Sequence, residues 1–169
     1  MERRKFIKQT GIATAAVAGM PSLDLFGASE KSKKITILHT NDVHSHIDPF
    51  SPEDASFPNQ GGVARRLTLI EAIRKENPNT LLLDAGDIFQ GTPYFNFYGG
   101  ELEFKLMSLL RYDAATIGNH DFDNGVGGLA AQMPNATFKM LSANYDFTNT
   151  AMEGLTKPYE VFIKDGIKI

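Results

Sequence analysis

Cysteine is absent from all 169 residues. No disulfide, thiolate metal site or acylated-cysteine anchor can form, so any metal must be held by oxygen and nitrogen donors. Long apolar runs are missing as well. Nothing approaches the roughly 20 consecutive apolar residues that a membrane helix needs, and no stable membrane span is expected. A basic face is also lacking: the net charge is −3, with Lys and Arg scattered outside the N-terminus. A nucleic-acid polymer therefore has no electrostatic footing as a partner. Histidine is scarce and one-sided, since His39, His44, His46 and His120 are the only four. There is no internal repeat and no low-complexity tract.

What is present is ordinary globular composition, 42% apolar and 22% charged, in a chain long enough to bury a core. The first 28 residues read as an address. A charged start, MERRKFIKQT, precedes the small, mildly apolar GIATAAVAGM, in the order of an export signal. Arg3-Arg4-Lys5-Phe6-Ile7-Lys8 resembles the twin-arginine signal, and the weakly hydrophobic stretch behind it suits that route. Residues 1–28 are thus expected to engage the twin-arginine export machinery and to deliver residues 29–169 to the periplasm or the extracellular space. Ala16-Val17-Ala18 or Ala28 would mark the cleavage. Removing four basic and two acidic side chains leaves a net charge of −5.

Beyond the signal, strands and helices alternate. Residues 35–39 are β-branched and apolar on both faces, as suits a parallel strand covered on two sides. Asp48 to Gln60 holds three prolines and reads as an exposed loop. Val63, Leu67, Ile70 and Ile73 then fall at three- and four-residue steps, one face of a helix that Asn77-Pro78 stops. Residues 80–84 form a second strand, and strand, long crossover, strand is the parallel unit of α/β folds. The pattern recurs with a helix in which Leu102, Leu106 and Leu109 share a face, a strand from Ala114 to Ile117, a short helix over Val126 to Ala131 and a strand from Thr137 to Ala143. Asp165-Gly166 is a two-residue hairpin signal.

Three of these apolar runs end in metal-loving polar residues. Carboxyl ends of parallel strands converge on one crevice, so donors far apart in sequence can meet there. Asp42 and His44 sit two apart past the first strand, where one carboxylate and one imidazole can reach a single ion. Asp87 follows Gly86 after the second strand; the glycine allows close approach, and a carboxylate has two oxygens to share between cations. Gly118-Asn119-His120-Asp121 follows the third. Asn119 offers a neutral carbonyl oxygen, His120 a proton or a positive charge, and Asp123 can orient the His120 ring through its other nitrogen. His46 reads as a solvated loop residue, His39 as a hydrogen-bonded core histidine, Asp84 as a buried hydrogen-bonded carboxyl, and Asp121 as a cap on the next turn.

The order Asp-x-His, Gly-Asp, Gly-Asn-His-Asp, each at a strand end, resembles the calcineurin-like metallophosphoesterases. Within them, ITILHTNDVHSH, GGVARR, LLLDAGDIFQGTPY and IGNHDFDNG resemble the secreted 5′-nucleotidase and UDP-sugar hydrolase family over residues 35–169. The resemblance implies an α/β fold, a four-layer α/β/β/α sandwich of which residues 29–169 are the N-terminal portion, around two divalent metals. Mixed N and O donors suit Zn, Mn, Fe or Co. Asp42 and His44 would be ligands of the first metal, Asp87 would bridge, and Asn119 would bind the second metal. His120 and Asp123 would form the catalytic pair, with Asn119 and His120 also facing the substrate phosphate. The family's later metal histidine, its Gly-His-x-His block and its C-terminal nucleoside-gripping domain have no counterpart here, so an incomplete site is expected. The implied reaction is direct hydrolysis of nucleoside monophosphates or nucleotide sugars. Two other readings stand beside it: a sulfur-oxidation thiosulfohydrolase of the same superfamily, and a remnant that binds a metal or a partner without turnover.

Overall fold

The computed structural model describes residues 32–169; the expected export signal lies outside the described residues. Four parallel strands are paired in sequence order: β1 (Thr36–Thr40), β2 (Thr80–Asp84), β3 (Ala114–Ala115) and β4 (Lys139–Met140). Thr36 faces Thr80, Thr40 faces Asp84, and Asp84 in turn faces Ala115. Between them run α1 (Val63–Glu76), α2 (Pro93–Tyr98), α3 (Glu101–Leu109) and α4 (Gly125–Gln132). Right-handed crossovers between strands laid down in sequential order must all return over the same face of the sheet. One cluster accordingly joins Ile70 of α1, Phe104 and Met107 of α3 and Leu129 of α4 to Leu82 and Met140 of the sheet.

Local chemistry sets the bounds. α1 buries Ile70 of the stripe its spacing predicts, with Val63 and Leu67 partly buried against the core, and ends where the Asn77 side chain donates to the Ile73 carbonyl before Pro78. β2 occupies the residues expected, 80–84, and four of its five are buried. Asp165 and Gly166, with φ of 52° and 76°, turn β5 (Ile163–Lys164) into β6 (Ile167–Lys168), as the hairpin signal requires. No helix among the described residues is long and apolar enough to cross a membrane.

Three readings need correction. Leu109 is 70% exposed, and α3 turns Glu103, Phe104 and Met107 inward. Two apolar stripes compete on that helix, and the aromatic ring, with more area to remove from water, takes the core. His39 is exposed together with Ile37, because the helices cover only the opposite face of β1. The strands expected over Ala114 to Ile117 and Thr137 to Ala143 are each two residues long. Of the four-layer sandwich that the resemblance implies, the described residues form one helical layer on one sheet, with a separate hairpin, in keeping with the N-terminal portion expected.

Candidate metal centre

Parallel pairing does not stop where the strands do. The Ala85 N–H bonds to the Thr40 carbonyl, Asp42 to Gly86, His44 to Asp87 and Ser45 to Ile88, all at 2.9–3.1 Å. This ladder lays the segment after β1 along the segment after β2 and brings Asp42 and His44 beside Asp87. One donor atom from each of the three lies within 4.8 Å of the others. Donors around one ion at bonds of about 2.0–2.2 Å stand roughly 3–4.4 Å apart. A small closure therefore suffices, and two carboxylates with one imidazole fit a divalent cation.

Each donor is aimed by a neighbour. The Asn41 amide donates to Asp42 Oδ2 at 2.6 Å. His44 Nδ1 meets the Phe89 carbonyl at 3.3 Å; a carbonyl only accepts, so Nδ1 carries the proton and Nε2 is left as the donor to a metal, 3.9 Å from Asp42 Oδ1. Asp87 Oδ1 accepts the His120 N–H at 2.9 Å. The His120 ring lies 5.1 Å from that of His44, edge to face. His120 Nδ1 meets Asp123 Oδ2 at 3.1 Å, and this bond pushes the imidazole above its ordinary pKa against the opposing effect of burial. Asn119 is exposed and is carried to the same corner by its neighbours Gly118 and His120. His46 is half-buried and outside the cluster, its ring 4.6 Å from that of Phe50 and its Nδ1 3.4 Å from the His44 carbonyl.

The turns are compressed and strained. Asp42, His44, Ser45 and Asp87 all have positive φ, between 43° and 58°. Such backbone persists where the surroundings over-determine it, and it clusters at working sites. A Cβ on Gly118 would lie 2.1 Å from Asp87 Oδ1, and one on Gly86 would lie 2.6 Å from the Gly118 nitrogen.

Sequence reasoning missed the pin that holds these turns. Asp121 caps no following turn: it is 2% exposed, and its carboxylate accepts the N–H groups of Gly118, Asp87, Ile88 and Phe89. It locks the tip of β2 to the tip of β3. Burial raises its pKa against the opposing effect of the Gly118, Phe89 and Ile88 amides. Nothing local in the sequence distinguishes it from Asp123. Two cavities of about 420 and 340 Å³ lie elsewhere, one lined by Met133, Phe138, Met140 and Leu155, the other by Arg74, Arg111, Asp113 and Lys164.

Asp84 is buried as expected, accepting from the Thr40 hydroxyl at 2.5 Å and from the Gly86 N–H at 2.9 Å. Burial nevertheless pushes its pKa up to about 6. A carboxyl whose folded pKa exceeds its unfolded value stabilises the fold most below about pH 4, and that contribution is lost as pH rises to about 6. The loss is roughly 3 kcal/mol. Asp84→Asn, which cannot ionise, is expected to flatten this part of the pH trend in metal-free urea titrations. Equal slopes for the two proteins between pH 4 and 6 would refute it.

Residues 35–167 match the calcineurin-like phosphoesterase family. The chain belongs to that family. It is related to 5′-nucleotidases, being 46% identical to the 5′-nucleotidase of Rattus norvegicus over 144 residues, which are 80% of this chain and 25% of the rat protein. Its fold matches a 5′-nucleotidase precursor from Thermus thermophilus with a TM-score of 0.73 and 43% identity, covering 79% of this chain and 27% of that one. It matches the NAD nucleotidase of Haemophilus influenzae with a TM-score of 0.71 and 33% identity, over 79% and 28% of the respective chains. The chain thus spans about a quarter of the length of the curated relatives it matches.

Proposed function

We propose that this chain supplies most of one metal site, part of a second and the proton-handling pair of an exported hydrolase acting on phosphate esters of nucleosides. The observation that carries the reading is the convergence of Asp42, His44 and Asp87 within 4.8 Å, with His120 tied to Asp87. Asp42, His44 and Asp87 would hold the first divalent metal, Zn, Mn, Fe or Co, and Asp87 with Asn119 would contribute to the second. Such metals, when bound, polarise a phosphoryl oxygen and lower the pKa of water toward neutrality.

The chain's own residues do the rest. Asp123 accepts from His120 Nδ1, which favours the imidazolium and leaves Nε2 as the atom that can give a proton to a leaving alkoxide. The charged ring beside the site offsets negative charge that develops on phosphoryl oxygens, a role that needs no covalent bond to the protein. Likeness to proteins named 5′-nucleotidases, at 43–46% identity, favours nucleoside monophosphates or nucleotide sugars as the esters. Passage through the twin-arginine route to the periplasm or cell exterior belongs to the same proposal. It rests on Arg3-Arg4 and the mild apolar stretch that follows, and cell fractionation decides it.

The test uses the protein together with whatever the gene encodes after Ile169, assayed for release of phosphate from AMP with Mn²⁺ or Zn²⁺. His120→Asn is expected to lower turnover about 10²–10⁴-fold while bound metal stays at the wild-type level. Loss of metal in that variant would make His120 a ligand, and unchanged turnover would remove it from the chemistry. Hydrolysis of protein-bound thiosulfonate with none of AMP would transfer the fold to the sulfur reading.

A further inference from the structure

The turn that bears His44 is gripped from the core side by a residue that the proposed chemistry does not use. Ser45 is 2% exposed and left-handed, with φ of 58°. All three of its polar groups are engaged: its N–H donates to the Ile88 carbonyl at 2.9 Å, its carbonyl accepts from Thr92 Oγ1 at 2.8 Å, and its hydroxyl donates to Glu103 Oε1. Glu103 is 4% exposed on the inward face of α3, beside Phe104 and Met107. Its other oxygen, Oε2, has no partner among the described residues.

A carboxyl group is a poor choice for that position if packing is all that matters. Leucine would continue the apolar stripe without taking a polar group out of water and leaving one of its atoms unpaired. What the carboxyl does offer is a fixed acceptor, on a helix anchored in the core, for the buried hydroxyl of the strained turn. We infer that Glu103 is a positioning residue of the metal centre: through Ser45 it holds the left-handed turn in the shape that aims His44 Nε2 toward Asp42 and Asp87. The inference rests on the reading of His44 as a ligand, but its mechanical half can be measured without metal.

The experiment compares the full chain with Glu103→Leu, Glu103→Gln and Ser45→Ala. Hydrogen exchange is read at the His44 and Ser45 amides, which donate to Asp87 and Ile88, against the sheet amide of Leu82. The His44 tautomer is read from its ring nitrogen shifts, and Zn²⁺ affinity by competition with a chromophoric chelator. Glu103→Leu is expected to keep Leu82 protected, to speed exchange at His44 and Ser45 at least tenfold, to mix the His44 tautomers and to weaken Zn²⁺ binding about 10–100-fold, the range for partners that orient ligands. Glu103→Gln still presents an oxygen to the Ser45 hydroxyl and is expected to restore all three readouts.

Wild-type exchange and tautomer in Glu103→Leu would overturn the inference, as would a glutamine variant no better than leucine. If Glu103→Leu does not fold, Ser45→Ala, which removes the donor and leaves α3 intact, is judged by the same criteria. A wild-type chain that takes up no Zn²⁺ would defeat the ligand reading instead, and exchange with tautomer would still decide the role of Glu103.

Discussion

Gly118→Ala is expected to cost about 3 kcal/mol of stability, the upper end of what overpacking costs, and to abolish metal binding. The added methyl group would sit 2.1 Å from Asp87 Oδ1 and 2.4 Å from the Asp87 backbone nitrogen. No rotamer change removes a clash with backbone, so the tips of β2 and β3 must part. Parting them breaks the bonds from the Asp87, Ile88 and Phe89 amides to Asp121 and the bond from His120 to Asp87. Gly118 does not adopt positive φ, so the effect isolates close approach from backbone preference. Urea unfolding and Zn²⁺ titration on the same sample measure it. A variant with a wild-type midpoint would mean that the two turns are not in contact.

Asp87 should show the second large effect, and two substitutions separate its roles. Its carboxylate is the donor proposed to serve both metals, and it also receives the His120 N–H at 2.9 Å. Asp87→Asn keeps an oxygen for that N–H and loses the charge; Asp87→Ala loses both. Both variants are expected to weaken divalent-metal binding at least about 100-fold, beyond the 10–100-fold typical of residues that only orient ligands. Only the alanine variant should also free the His120 amide, seen as faster hydrogen exchange there. Calorimetric titration that found wild-type affinity in either variant would remove Asp87 from the metal site.

The amino-acid pattern locates the strand tips well because the signal is local. TLLLD followed by Ala-Gly-Asp marks both the end of β2 and its donor, and the three- and four-residue steps from Val63 to Ile73 mark α1. It also names the residues that the fold brings together, since Asp42, His44 and Asp87 each follow such a tip. What the pattern hides depends on contacts between distant residues. Phe104 displaces Leu109 from the core only because Phe89, 4.9 Å away, and Phe138, 5.4 Å away, are there to receive it. Asp121 and Asp123 look alike in HDFD, yet one binds four amides in the interior and the other faces His120. The left-handed turn at Asp42, His44 and Ser45 carries no glycine to announce it. The exposure of His39 reflects which side of the sheet the helices cover, a property of three crossovers taken together.

Paramagnetic broadening by Mn²⁺ tests the central claim most directly, because it reports where the ion sits whether or not the chain turns over. In two-dimensional NMR spectra of the chain, substoichiometric Mn²⁺ is expected to erase the amide signals of residues 42–45, 86–88 and 118–120 first. Excess Zn²⁺ should restore them, and signals around the Arg74, Arg111 and Lys164 cavity should be untouched. Broadening centred away from the tips of β1, β2 and β3, or spread evenly over exposed carboxylates, would contradict the account.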